Sequence, residues 1–252
     1  LDRKIRVGAV SYLNTRPLLY GIAHEAVKSR MDLILDYPSA LARMLLEDEI
    51  DVGLIPVAIL PNLKEHHLIS DYCIGSRGKV TSVGIFSERP LTEIRTVLLD
   101  YQSRTSVTLA RILLKEYWNS TAVCEDTQGE EYLHRIGGDV AGLVIGDRAL
   151  DLVKTSTYQY DLGEAWKLHT GLDFVFAAWV SNKPIDPVFI KEFNSANALG
   201  LDRLEEVIRS TGETRHDLHQ YYTRHISYLL DADKKAGMEL FLQKVRTFSE
   251  HA

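Results

Sequence analysis

Lys4-Ile5-Arg6-Val7-Gly8-Ala9-Val10-Ser11-Tyr12-Leu13-Asn14-Thr15-Arg16-Pro17-Leu18 begins as a β-branched run and ends in hydroxyl, amide and guanidinium groups followed by a proline. The run reads as a strand. Proline is tolerated in the first helical turn because its missing N–H would be unpaired there anyway, so Pro17 marks the start of a helix. Strand, polar loop and helix in that order are the opening of a βαβ unit.

Further short β-branched runs at residues 33–36, 52–55, 97–99 and 142–145 alternate with helical patterns through the first two thirds of the chain. That rhythm predicts parallel sheets with helices on their faces. Leu41, Met44 and Leu45 share one face of a first helix, and Val107, Ala110, Leu113, Leu114 and Tyr117 share one face of a second. After about Asn182 the pattern turns to consecutive helices. Leu201, Leu204, Val207 and Ile208 fall on one face, and Met238, Phe241, Leu242, Val245 and Phe248 on another. The segments 80–86 and 174–180 are the candidates for passage between two lobes.

The chain has 252 residues, 45% of them hydrophobic and 25% charged, a globular composition long enough for two lobes. A net charge of -6 without a basic cluster argues against nucleic acid as a partner. No apolar run approaches the roughly 20 residues of a membrane-spanning helix, so a membrane is not expected either. Cys73 and Cys124 stand apart without ligand spacing, and the histidines lack converging partners, so no metal is assigned. The first residues read as a strand rather than a secretory signal, which favours the cytoplasm. Nucleophile-elbow, Walker, GxGxxG and HExxH patterns are missing.

In open parallel α/β sheets, ligands bind beyond the carboxyl ends of strands, where helix starts offer unpaired N–H groups to an anion. Four loops qualify: 11–18, Pro38-Ser39, Gln102-Ser103-Arg104-Thr105-Ser106, and Gly146-Asp147-Arg148. Ser39 reads first as a helix cap and only secondarily as a ligand contact, and Asp147 equally as a cap or a functional carboxylate. The three hydroxyls at Ser103, Thr105 and Ser106 exceed what one cap needs, which points to anion binding.

Beyond these loops, several blocks are similar to the chorismate dehydratases of the menaquinone pathway. They are Ser11 through Leu18, Pro38-Ser39-Ala40-Leu41, Asp51-Val52-Gly53-Leu54-Ile55-Pro56-Val57 and Ser76-Arg77-Gly78-Lys79-Val80-Thr81-Ser82-Val83. Asp100 through Ser106, Ile145-Gly146-Asp147-Arg148-Ala149-Leu150 and Thr170-Gly171-Leu172-Asp173-Phe174-Val175-Phe176-Ala177 continue the series. In the last block Asp173 stands where the resemblance leads one to expect proline.

The resemblance implies an α/β fold of the type-2 periplasmic-binding-protein kind, with two lobes, a central cleft and a C-terminal helical segment. Residues 1–87 with 177–252 would form one lobe and 88–176 the other. It implies dehydration of chorismate, a small dicarboxylate, to 3-enolpyruvyl benzoate, the first step of the futalosine route. Aromatisation drives that redox-neutral reaction, so no cofactor is expected. Asn14, Ser82 and Asp147 are the candidates for chemistry. Ser11, Tyr12, Arg16, Ser39, Pro56, Ser103, Arg104, Thr105, Ser106, Gly146, Phe174 and Val175 are the candidates for substrate contact. The base is either Asp147 or the substrate's own enolpyruvyl carboxylate, because a cleft that attracts two carboxylates disfavours a third. A non-catalytic anion-binding module and the sister 1,4-dihydroxy-6-naphthoate synthase are the competing readings.

Overall fold

A computed structural model describes residues 3–250, arranged around two mixed β-sheets. The opening run forms β1 (Ile5–Val10), followed by a 3-10 turn at Leu13–Thr15 and α1 (Arg16–His24). Pro17 lies in the first turn of α1, where the sequence puts it. β2 (Met31–Asp36), α2 (Pro38–Leu46), β3 (Val52–Pro56) and β4 (His67–Ser76) complete the first pass through sheet one.

The chain then enters sheet two with β5 (Val83–Ser87), β6 (Thr96–Leu99), α3 (Arg104–Glu116) and β7 (Val123–Asp126). β8 (Val140–Ile145), α4 (Asp147–Leu152), β9 (Tyr158–Asp161) and α5 (Leu162–Thr170) follow. β10 (Phe174–Ser181) returns to sheet one and leads to α6 (Pro187–Asp202), α7 (Leu204–Thr211) and the single turn α8 (Leu218–Gln220). A π turn at Tyr221–His225, β11 (Ser227–Leu229) and α9 (Ala232–Glu250) end the described chain.

Sheet one has the order β11-β4-β10-β3-β1-β2, and sheet two β7-β6-β8-β5-β9. The alternating pattern predicts parallel sheets, and only β2-β1-β3 and β7-β6-β8 are parallel. β10 and β5 run antiparallel to both of their neighbours. The antiparallel insertions follow from the two crossings, because a chain that leaves a lobe and comes back re-enters from the far end of its sheet.

Those crossings differ from the expected ones. Residues 174–180 are not a connector but the centre of sheet one, fully buried and paired to β3 and β4. Residues 83–86 belong to sheet two, so the passages are 77–82 outward and 162–173 back. Sheet two begins at Val83 and the return to sheet one at Phe174, and the expected lobe boundaries lie at 87/88 and 176/177. Residues 1, 2, 251 and 252 of the expected first lobe lie outside the described residues. The helical face expected through 201–208 is interrupted at Arg203, where α6 ends and α7 begins.

The C-terminal helices clamp the first functional loop in place. α1 and α6 approach so closely that a Cβ on Gly21 would sit 1.6 Å from the Ala196 carbonyl oxygen, and one on Gly200 1.7 Å from that of Pro17. Only glycine permits this backbone contact, which fixes α1, and with it the turn before α1, against the body of sheet one.

Candidate functional site

The carboxyl ends of β1 and β3 on one sheet and β8 on the other converge on a narrow cavity of about 50 Å3, partly open to solvent. Small-ligand sites usually measure roughly 300–1,000 Å3, so this cleft must widen to admit a ligand, by a parting of the two sheets. Its walls are built from Val10, Leu54, Pro56, Ile74, Val80 and Val83, with Ile145, Phe176 and Ala177 beside them. Against this apolar lining face the polar side chains of Tyr12, Asn14, Thr15, Ser82, Ser103 and Ser106. Among the described residues that line the cavity there is no carboxylate, ammonium, guanidinium or imidazole.

Of these polar groups, Tyr12, Asn14, Thr15 and Ser103 are held from behind. Ser103 caps α3 by accepting the Ser106 N–H at 3.0 Å, which leaves the amides of the first helical turn directed at the cavity end. The Thr15 hydroxyl donates to Asn14 Oδ1 at 3.0 Å. The Tyr12 hydroxyl donates to Gln102 Oε1 across the cleft, and its ring lies over Gly146. Gly146 has φ +68°, so it supplies both the left-handed backbone at the start of α4 and the room for that ring. Burial, and then the nearby Asp100 carboxylate, pushes the Tyr12 phenol well above its ordinary value. Tyr12 is a hydrogen-bond donor here, not a phenolate base.

Several sequence candidates serve as ties between the lobes rather than as lining. Ser39 neither caps α2 nor lines the cavity: its hydroxyl donates to the Tyr101 carbonyl at 3.1 Å and its N–H to that of Gln102 at 3.0 Å. Thr105 accepts the Ala58 N–H at 3.1 Å and is 1% exposed, which turns its hydroxyl away from the cavity. Asp147 accepts the Leu13 N–H at 3.0 Å, with burial raising its carboxyl above the ordinary range against the pull of Leu13 and Arg16. Ser11, Arg16 and Arg104 are exposed outside the cavity lining. Phe174 and Val175 are core residues, Phe174 packed edge-on against Trp166, Phe176 and Phe241. The next two residues of β10, Phe176 and Ala177, reach the cavity instead.

Asp173 is buried and accepts Lys167 Nζ at 2.8 Å, with Arg77 Nε at 3.8 Å. An ion pair thus stands at the returning passage where the resemblance implies a proline. Behind the rim, Asp100 accepts N–H bonds from Gln102 and Ile145 and a two-point contact from Arg148, which also donates to Gln102 Oε1 at 2.9 Å. The sequence gives no sign of the C-terminal contribution. Tyr228, on β11, donates its hydroxyl to the Asn14 carbonyl at 2.8 Å, across 214 residues of chain.

This lobed arrangement has many relatives. Residues 5–247 match the menaquinone-biosynthesis family. The chain belongs to that family. A chorismate dehydratase from Thermus thermophilus is 26% identical over 94% of this chain and 93% of its own length. Protein AF1704 from Archaeoglobus fulgidus superposes with a TM-score of 0.78 over 98% of each chain at 12% identity. The periplasmic aliphatic sulphonate binding protein SsuA from Escherichia coli does so with a TM-score of 0.62, over 100% of this chain and 93% of its own, at 12% identity. The fold of this menaquinone-biosynthesis family member is therefore periplasmic-binding-protein-like. No helix among the described residues is long and apolar enough to cross a membrane, and no cluster of His, Cys, Asp and Glu among them has the makings of a metal site.

Proposed function

We propose that this family member is a hydro-lyase that removes water from chorismate to give 3-[(1-carboxyvinyl)oxy]benzoate. The observation that carries the reading is the cleft between the sheets, with neutral donors and no ionisable acid or base on its walls apart from the Tyr12 phenol. Such a lining suits a substrate that brings its own charges and its own base.

In this reading one carboxylate rests against the Ser103 and Ser106 hydroxyls and the first amides of α3, where the helix start favours an anion. Asn14 donates to the departing C4 hydroxyl or fixes the enolpyruvyl group. The enolpyruvyl carboxylate, stripped of water, is a stronger base than in solution and takes the C3 proton. The C3–H electron pair becomes the new ring double bond, the C4–O bond breaks, and the same proton passes to the leaving hydroxide to complete a water molecule. The protein contributes orientation and exclusion of bulk water. Asp147, bound to Leu13 outside the lining, has no part in proton transfer.

Incubation of the full chain with chorismate tests this. An aromatic ultraviolet spectrum with release of one water per substrate is the expected result. Saturable binding of unchanged chorismate would assign the cleft to a solute-binding role instead.

A further inference from the structure

The turn that carries Asn14 has a gap in its hydrogen bonding. In the 3-10 ladder of this turn the Thr15 N–H bonds the Tyr12 carbonyl at 3.1 Å and the Arg16 N–H bonds that of Leu13. The next rung would run from residue 17 to the Asn14 carbonyl, and Pro17 has no N–H to give. The donor comes instead from the buried Tyr228 hydroxyl, 2.8 Å away. An unpaired carbonyl at this depth is costly, so the bond holds the turn in one register.

The side chain of Asn14 is fixed as well. Thr15 is 0% exposed and donates its hydroxyl to Asn14 Oδ1 at 3.0 Å. With the amide oxygen occupied, the NH2 end is the part left for the cavity that Asn14 lines. A freely rotating amide would offer a donor or an acceptor in turn. Held at both ends, this one offers donors alone.

We infer that Thr15 and Tyr228 are positioning residues that present Asn14 to the substrate as a one-way hydrogen-bond donor, selecting an oxygen acceptor at that place. The inference rests on the dehydratase reading for its activity readout. It brings the C-terminal segment, 214 residues away in sequence, into the working parts of the site.

The test uses Thr15→Val, Thr15→Ser and Tyr228→Phe in the full chain with chorismate as substrate. Displacing a donor by a fraction of an ångström costs on the order of 10- to 100-fold, so kcat should fall by that factor in Thr15→Val and Tyr228→Phe with KM little changed. Thr15→Ser, which keeps the hydroxyl, should restore most of the loss. Wild-type kcat in Thr15→Val, or no recovery in Thr15→Ser, would overturn the inference, and this pair stands even if Tyr228→Phe does not fold.

The side-chain amide resonances of Asn14, assigned by their loss in Asn14→Asp, give a readout free of turnover. They should shift in Thr15→Val, and an unmoved pair rejects the positioning role. A wild-type chain inert toward chorismate would remove the dehydratase reading while leaving the amide measurement to decide this one.

Discussion

The Leu13 N–H, carried by the first lobe, donates to the Asp147 carboxylate of the second at 3.0 Å. Burial raises the Asp147 carboxyl above its ordinary value in this closed arrangement. A group whose pKa is raised by closure favours closure when protonated and opposes it when charged, so the contribution is present at low pH and lost as pH rises through the raised value. Asp147→Asn keeps an acceptor for Leu13 without the charge. Its melting temperature should match or exceed that of the wild type at pH 7, with the advantage shrinking toward pH 4. Turnover should stay close to the wild-type rate, and complete loss of turnover with substrate binding intact would make Asp147 the base after all.

Gly146→Ala should damage the cavity wall and the backbone together. The new Cβ would lie 3.1 Å from the Tyr12 ring, and φ +68° disfavours an L side chain by about 1–2 kcal/mol. The expected result is a lower melting temperature and a raised KM. An unchanged KM would mean that Tyr12 does not shape the bound state.

The Asp100–Arg148 pair is a stability prediction. Asp100 is 0% exposed and the Arg148 side chain 18% exposed, so Asp100→Asn leaves a largely buried guanidinium with only the exposed Glu130 carboxylate, 3.7 Å away, as counter-charge. Loss of one member of a buried pair costs about 3–5 kcal/mol, which calorimetry would register as a fall in melting temperature of roughly 10 °C. A fall of a degree or less would show that solvent replaces the bond.

The cysteines should differ in reactivity. Burial pushes the Cys73 thiol up to about 12, and it is 0% exposed, whereas Cys124 is partly exposed. Titration of the native chain with a thiol reagent at pH 8 should modify Cys124 alone, and both thiols only after unfolding. Equal rates in the native chain would contradict the packing around β4.

Local signals carried much of this fold, and distant partners explain the remainder. β1, the polar turn and Pro17 were legible because strand, loop and helix start follow one another within the fifteen residues from Lys4 to Leu18. The heptad-like faces of α2 and α3 were legible for the same reason. β4 was hidden because register shifts against β10 break its alternation, burying neighbouring residues from Cys73 to Ser76. β11 was hidden because its three residues carry no pattern of their own and pair with β4 only once the fold is made.

The site was legible to the level of its loops, not of its side chains. Seven candidates, Tyr12, Asn14, Pro56, Ser82, Ser103, Ser106 and Gly146, line the cavity. Ser39, Thr105 and Asp147 sit in the right loops but spend their oxygens on the opposite lobe's backbone. Which of several adjacent hydroxyls faces inward depends on partners such as Ala58 and Tyr101, and no spacing rule records these. Tyr228 is the extreme case, its importance created by a proline 211 positions earlier.

The uncharged lining has a kinetic corollary. The field of a helix start fades within about one turn, so little reaches out from the walls to draw an anion in, and arrival is governed by diffusion and by how often the lobes part. Discrimination then comes after arrival, from shape and from which oxygens meet a donor. Added salt, which strongly blunts capture wherever fixed cations do the pulling, should weaken this cleft's grip on its ligand only modestly, through the helix start alone.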